Sequence, residues 1–316
     1  MKVLVTGGAG FLGSHLVDAL VARNFDVTVL DNLSRGRPEH VEEHLASNRI
    51  TMHVADVRDY QSVADAMSGA AVVYHLAAQS NVMGAMQDMD YSFTSNVVGT
   101  FNVLKAASSH NVRRVIFASS REVYGEPALL PVSEAAPLNA KNPYGASKVA
   151  AEVYCRVWQQ NHGLECLILR FANLYGPRDR DRVIPIWLER ARRGQSLELY
   201  GGDQVLDFLW VGYAVQALLA GLECSTLQPI NVGSGQAVTL TQLAGRIVDL
   251  VGTQSSVQLR PARTVEVVRF VADVSAMRRV LSVHPSADSL AHLGAMVQPE
   301  AVASSTMAHP VSAPHS

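Results

Sequence analysis

Apolar positions along the chain follow two rhythms. Short runs rich in Val, Ile and Leu recur at Val3 to Thr6, Val27 to Asp31, Ile50 to Val54, Ala71 to Leu76, Val115 to Ser119 and Cys166 to Phe171. Between them the apolar residues return every three or four positions, as Leu12, Leu16, Val17 and Leu20 do, which predicts a helix over Leu12 to Arg23. Strands apolar on both faces and joined by helical crossovers predict an α/β fold built on a doubly wound parallel sheet of Rossmann type. After Gly176 the alternation weakens. A helix is predicted over Val183 to Arg193, a short strand over Leu197 to Tyr200 and an amphipathic helix over Thr239 to Val251. The chain thus divides into a doubly wound domain over 1–175, to which later segments can return, a smaller α/β lobe over 176–285, and a tail over 286–316. Glu300 to Ser316 has too little to bury and is expected to be disordered.

Composition narrows the function. Apolar residues make up 48% of the 316 and charged residues 17%, a globular mix. The net charge of −2 supplies no broad field for a polyanion, so neither nucleic acid nor a membrane surface is an expected partner. Phosphate, if bound, must be met locally. No apolar run reaches the roughly 18 residues of a membrane helix, and the first one is too short for a secretion signal, so a cytoplasmic protein is expected. Cys155, Cys166 and Cys224 are odd in number and lack a paired spacing, which predicts reduced, buried thiols. The 11 histidines form no ligand pattern, and no metal is expected.

Candidate chemistry begins where the first strand meets Gly7-Gly8-Ala9-Gly10-Phe11-Leu12-Gly13. Glycines at 7, 10 and 13 permit a tight turn, close approach of backbone N–H groups to a pyrophosphate at a helix N-terminus, and close helix–strand packing. The second strand ends in Asp31-Asn32, where a carboxylate meets an adenosine ribose diol and repels a 2′-phosphate. NAD is therefore the expected cofactor. Asp56-Val57 after the third strand is placed to meet the adenine, or Asp56 caps its own loop. Tyr144 and Lys148 lie four residues apart, on one face of a helix expected to begin after Pro143. A phenol of pKa about 10 acts as a base near pH 7 only if its anion gains about 4 kcal/mol, which a lysine and a cationic nicotinamide can supply in a dry cleft. Ser119-Ser120 ends the fifth strand, at the sheet edge where ligands of such folds bind.

Together these residues resemble the extended short-chain dehydrogenase/reductases, specifically the NAD-dependent sugar-nucleotide epimerases and dehydratases. The glycine loop, Asp31, Asp56-Val57, His75-Leu76-Ala77-Ala78, Asn96, Ser119-Ser120-Arg121-Glu122-Val123-Tyr124-Gly125, Pro143-Tyr144-Gly145-Ala146-Ser147-Lys148, Arg170-Phe171-Ala172-Asn173 and Asn231-Val232-Gly233-Ser234-Gly235 occur in the family's order across about residues 1–285. The resemblance implies that Tyr144 is general base and acid, that Lys148 tunes it and fixes the nicotinamide ribose, and that Ser120 binds the reacting hydroxyl. Leu76, Ala77, Ala78, Asn96 and Ser119 join the cofactor set. C4 of the sugar passes hydride to NAD, the 4-keto sugar turns about its pyrophosphate, and hydride returns to the opposite face. Glu122, Asn173, Arg178, Val183, Leu199, Tyr200 and Arg263 join the substrate set. Asn173 is alternatively a strand-end cap and Leu199 a core residue, and Tyr124 is read as packing. A homodimer through the helices near Phe93 to Ala107 and Ala146 to Gln160 is implied as well.

Departures set the alternatives. Leu206 precedes Asp207-Phe208 where the family carries an arginine on the pyrophosphate, leaving Arg263, Arg178, Arg180 or Arg182 to compensate. Dehydratases carry Asp-Glu where this chain has Arg121-Glu122, and arginine does not donate a proton at pH 7. Dehydration is disfavoured, whereas decarboxylation of a UDP-glucuronate and an NAD-binding regulator without catalysis stay open. Arg121 either pairs with Glu122, Glu126 or solvent, or faces the sugar. In the second case its fork suits a carboxylate at C5 and favours UDP-glucuronate over UDP-glucose as the UDP-sugar epimerised.

Overall fold

The structure, a computed structural model, describes residues 1–297. The segment Glu300 to Ser316, expected to be disordered, lies outside the described residues.

The strands in chain order are β1 (Lys2–Thr6), β2 (Asp26–Asp31), β3 (Ile50–Val54), β4 (Val72–His75), β5 (Arg114–Ser120), β6 (Glu165–Phe171), β7 (Asn173–Tyr175), β8 (Leu197–Tyr200), β9 (Val205–Leu206), β10 (Phe208–Trp210), β11 (Ile230–Val232), β12 (Val238–Thr239) and β13 (Val257–Arg260). Seven of them form one parallel sheet in the order β11-β6-β5-β4-β1-β2-β3. The near-continuous apolar runs have a direct cause. Val3 and Val5 of β1 enter the core on one face of the sheet while Leu4 enters the core on the other, all three without exposure. The helices Phe11–Ala22 and Val211–Ala220 cover the first face, and Tyr60–Met67, Gly99–Ser109 and Pro143–His162 the second. Leu16, Val17 and Leu20 are fully buried, as their spacing requires.

The order of strands reverses direction at β1, since β2 lies on one side of it and β4 on the other. A crevice opens there at the carboxyl ends of the strands. β11 returns to the sheet beside β6 from far along the chain. A second core, with Trp187, Leu197, Leu199, Phe208, Leu243 and Ile247, underlies the smaller lobe and faces the crevice. Its last helix runs over Leu240–Val251, with Thr239 and Gln242 forming a capping box at its start.

Candidate active site

A continuous cleft of about 1120 Å³ runs from the end of β2, across β1, β4, β5 and β6, to the smaller lobe. Its first end is made by backbone. Gly7 turns the chain with φ +74, and a side chain on Gly13 would collide with the Gly7 carbonyl oxygen. Gly10 caps the helix Phe11–Ala22 without a side-chain bond, so the first N–H groups of that helix are left for an anion. Asp31 is buried and accepts from the Ala9 amide at 3.0 Å and the Leu33 amide at 2.9 Å. Burial raises its pKa, and the two N–H bonds work against that rise. Each carboxylate oxygen retains a lone pair for a ribose hydroxyl. Asp56 takes the Asn32 amide at 2.8 Å and a two-pronged contact from Arg58. Burial alone would raise Asp56, but the Arg58 bonds outweigh it and hold the carboxyl below its usual range. Phe11, Leu12, Asn32, Val57, Leu76, Ala77 and Ala78 line this end as well. An uncapped helix end, a glycine cradle and a buried carboxylate fit a dinucleotide with a free ribose diol, and so fit NAD.

The reacting end is set by one helix. Asn142 caps it by accepting from the Gly145 amide at 2.9 Å, and Pro143, with no N–H to lose, opens it. Tyr144 and Lys148, one turn apart, then face the cleft with Ser120 at the end of β5. Ser120 is a hydrogen-bonding neighbour of the Tyr144 phenol. Burial raises the pKa of Tyr144. The Ser120 bond and the charges of Arg182 and Arg121 pull it down, and Glu122 pushes it up. Burial brings Lys148 down to about 8. Its Nζ donates to the Ala118 carbonyl at 2.9 Å and stands 4.8 Å from the centroid of the Phe117 ring.

At the substrate end Arg121 pairs with Glu122 at 2.9 Å and donates through Nε to Asn173 Oδ1 at 3.2 Å. Its Nη1 is buried without a partner while the side chain lines the cleft. Arg121 therefore pairs with Glu122 rather than with Glu126, and its side chain lines the cleft. Arg178 is tied to Asp18 at 2.8 Å, Arg263 lies 3.7 Å above the Tyr200 ring, and Val183 and Leu206 complete the wall.

Most residues singled out from the sequence thus share one cleft, but two do not line it. Asn96 is enclosed, and its amide is spent on Gln79 N at 2.8 Å, Gln79 O at 3.0 Å and Ser147 Oγ at 2.8 Å, binding the loop after β4 to the catalytic helix. Leu199 points into the second core. Ser119 reaches the cleft, yet its hydroxyl donates to Glu152 at 2.6 Å behind it. Tyr124 donates to Asn231 Oδ1 at 2.7 Å, and burial pushes its phenol up to about 12, which suits packing.

Sequence reasoning missed Asp179, which holds Arg182 at 2.8 Å so that the guanidinium lies 5.3 Å over the Phe11 ring. It also missed Glu152, whose only signal was its place one turn after Lys148. Cys155 and Cys166, distant in sequence, are hydrogen-bonded neighbours. Among the described residues, no cluster of three or more His, Cys, Asp or Glu is placed to hold a metal, and no helix is long and apolar enough to cross a membrane.

The family model "NAD dependent epimerase/dehydratase family" matches residues 3–233. The chain belongs to that family. It is an enzyme with NAD as its cofactor. Among relatives, the UDP-glucose 4-epimerase of Mycolicibacterium smegmatis is 36% identical over 297 residues, covering 90% of this chain and 94% of that protein. UDP-glucuronic acid decarboxylase 1 of Xenopus tropicalis is 32% identical over 80% of this chain and 61% of its own length. The solved UDP-glucuronic acid 4-epimerase of Bacillus cereus, in complex with UDP-glucuronic acid and NAD, superimposes with a TM-score of 0.89 at 26% identity, covering 94% of this chain and 98% of that one.

Proposed function

We propose that this epimerase inverts C4 of a UDP-hexose, with UDP-glucuronate preferred over UDP-glucose. The observation that supports the choice of sugar is the Arg121 side chain, which lines the cleft wall beside Ser120. A guanidinium fork suits a sugar carboxylate at C5, and a charge-assisted hydrogen bond is worth about 1.5–3 kcal/mol. Glu122 already neutralises part of the guanidinium charge, so the gain belongs to the hydrogen bond more than to net charge.

In this reading Tyr144 takes the proton from the 4-OH, aided by Ser120, and returns it after the sugar has turned. NAD, when bound, accepts and gives back the C4 hydride. Lys148, anchored by the Ala118 carbonyl, keeps a positive charge beside the phenolate, and Asp31 holds the adenosine ribose. Arg263 stacked on Tyr200 supports an assignment of that wall to the nucleotide, with Arg182 and Arg178, which also line the cleft, assigned to the pyrophosphate where Leu206 leaves no charge. Fixing the sugar carboxylate through Arg121 opposes loss of carbon dioxide from the 4-keto sugar, because decarboxylation needs that charge to flow into the ring.

We also propose a homodimer. Phe93, Phe101, Val153, Tyr154 and Val157 are exposed on the two helical segments expected to pair, and Phe101, Tyr154 and Trp158 pack edge to face there. Three free, buried thiols support a reducing compartment, the cytoplasm.

Incubation with a panel of UDP-sugars, read by mass and NMR, tests the reaction. Unchanged mass with C4 inverted is expected, whereas loss of 44 or 18 mass units, about one carbon dioxide or one water, or no turnover at all, would replace the reading. For the sugar, kcat/KM for UDP-glucuronate over UDP-glucose is expected to be about 10- to 150-fold and to collapse in Arg121→Ala. A parent that prefers UDP-glucose refutes the uronate assignment.

A further inference from the structure

Behind the reacting side chains lies a charged pair to which the chemistry above gives no task. Glu152 sits one turn beyond Lys148 on the helix Pro143–His162 and is fully buried, and Arg170 of β6 is 2% exposed. Glu152 Oε1 accepts from the Ser119 hydroxyl at 2.6 Å and from Arg170 Nε at 2.9 Å, and Oε2 accepts from Arg170 Nη2 at 2.7 Å. Arg170 Nη1 donates to the Tyr124 hydroxyl at 2.8 Å and the Glu134 carbonyl at 3.0 Å. Two charges taken out of water are rarely worth more to stability than apolar residues of the same size. What this pair does supply is a fixed geometry among β5, β6 and the catalytic helix, and a negative charge close to Lys148.

We propose that Glu152 is a positioning residue for the reaction: its carboxylate locks Ser119, and with it Ser120, against the helix carrying Tyr144 and Lys148, and holds the Lys148 ammonium in its charged form. The groups around Lys148 leave Glu152 this task. Tyr144 and Cys155 share its helix, Cys166 and Arg170 come from β6, and His75 comes from β4. His75 is neutral, since burial and the Lys148 charge bring its pKa down to about 3. The Cys155 thiol is raised by its bond to Cys166 and by burial, and so carries no charge near neutrality. Burial drives Lys148 down, and Cys155 and Glu152 work against that drop; Glu152 is the one of the two held by a two-pronged contact from an arginine.

The proposal rests on Tyr144, Lys148 and Ser120 as the reacting set, but not on which sugar is turned over. The chain has only four lysines, Lys2, Lys105, Lys141 and Lys148, so ε-¹³C-lysine NMR of the NAD-loaded protein resolves Lys148, assigned by its loss in Lys148→Arg. In the double variant Glu152→Leu with Arg170→Met, which removes both charges and keeps the packing, the Lys148 titration is expected to move down, by less than loss of an unpaired carboxylate would give because the Arg170 charge leaves with it, while the other three stay in place. With any UDP-sugar turned over, kcat is expected to fall at least about tenfold with KM within about twofold, and the alkaline limb of kcat to move down with Lys148. Glu152→Asp, which keeps the charge but draws back from Ser119, serves if the double variant does not fold. It should leave the Lys148 titration in place and still lower kcat. An unmoved Lys148 in the double variant, or a parental kcat in either variant, overturns the proposal. Absence of turnover in the parent with a shifted Lys148 would instead refute the epimerase reading alone.

Discussion

His75 shows how much one buried side chain decides. The Thr100 hydroxyl donates to the Asn96 carbonyl at 2.6 Å, so toward His75 Nε2, 2.9 Å away, it acts as acceptor. Nε2 therefore carries the proton, and Nδ1 accepts from the Thr6 hydroxyl at 2.7 Å. The ring stitches β1, β4 and the helix Gly99–Ser109 together under the cofactor loop. With a pKa near 3 in the folded protein and about 6.5 unfolded, it takes up protons only on unfolding as pH falls below 6.5. The stability this group contributes is thus full above that pH and is lost at roughly 1.4 kcal/mol per unit down to about 3. Urea unfolding at pH 7, 6 and 5 should show this slope, and His75→Gln should flatten it. An equal slope in both proteins would mean the ring charges in the fold. At the same scale, Tyr144→Phe should bind NAD nearly as the parent does yet lose about 10²- to 10⁴-fold in turnover; a variant within twofold of the parent removes Tyr144 from the chemistry.

Among elements, glycine separates the two lobes' needs. Gly13 in the helix Phe11–Ala22 lies against the Gly7 carbonyl with no room for a side chain, whereas Gly245 in the helix Leu240–Val251 meets nothing. Gly13→Ala is expected to weaken NAD binding at least tenfold, roughly 1.4 kcal/mol, measured by fluorescence titration, and to lower Tm. Gly245→Ala should leave NAD binding alone and raise stability by up to about 1 kcal/mol, the helix-propensity difference. If both variants behave alike, close packing at the loop is not what shapes the cofactor end. The same contrast explains what was legible. β1, β2 and the first helix announced themselves because both faces are buried and the apolar period is strict. β11 has three residues, too few to show a period, and it pairs with β6 through backbone register, Ile230 opposite Leu169 and Val232 opposite Phe171.

For the whole molecule, the cleft is held by contacts across its mouth. Arg35 reaches Asp181 at 2.7 Å, Arg178 reaches Asp18 at 2.8 Å, and His15 Nε2 meets the Pro177 carbonyl at 2.9 Å. These tie the segment after β7 to the loop after β2 and to the first helix. On the opposite surface the exposed aromatic patch supports the pairing of two copies. Light scattering at micromolar concentration should give twice the single-chain mass for the parent, and Phe101→Glu with Val157→Glu should give the single-chain mass with NAD binding intact. A parent that is already single refutes the dimer.

Local rules were enough for the strand–turn–helix at Gly7 to Gly13, the carboxylate at Asp31, and the one-turn spacing of Tyr144 and Lys148, because each is a matter of backbone conformation or helical period within a few residues. Tertiary structure alone decided the rest. Nothing local states that Arg121 spends two nitrogens on Glu122 and Asn173 and buries the third, that Asn96 turns inward, or that Glu152 meets Arg170 from another strand. Side-chain direction at a strand end and the pairing of buried charges depend on which distant segment packs opposite, and that is set by the strand order of the sheet as a whole.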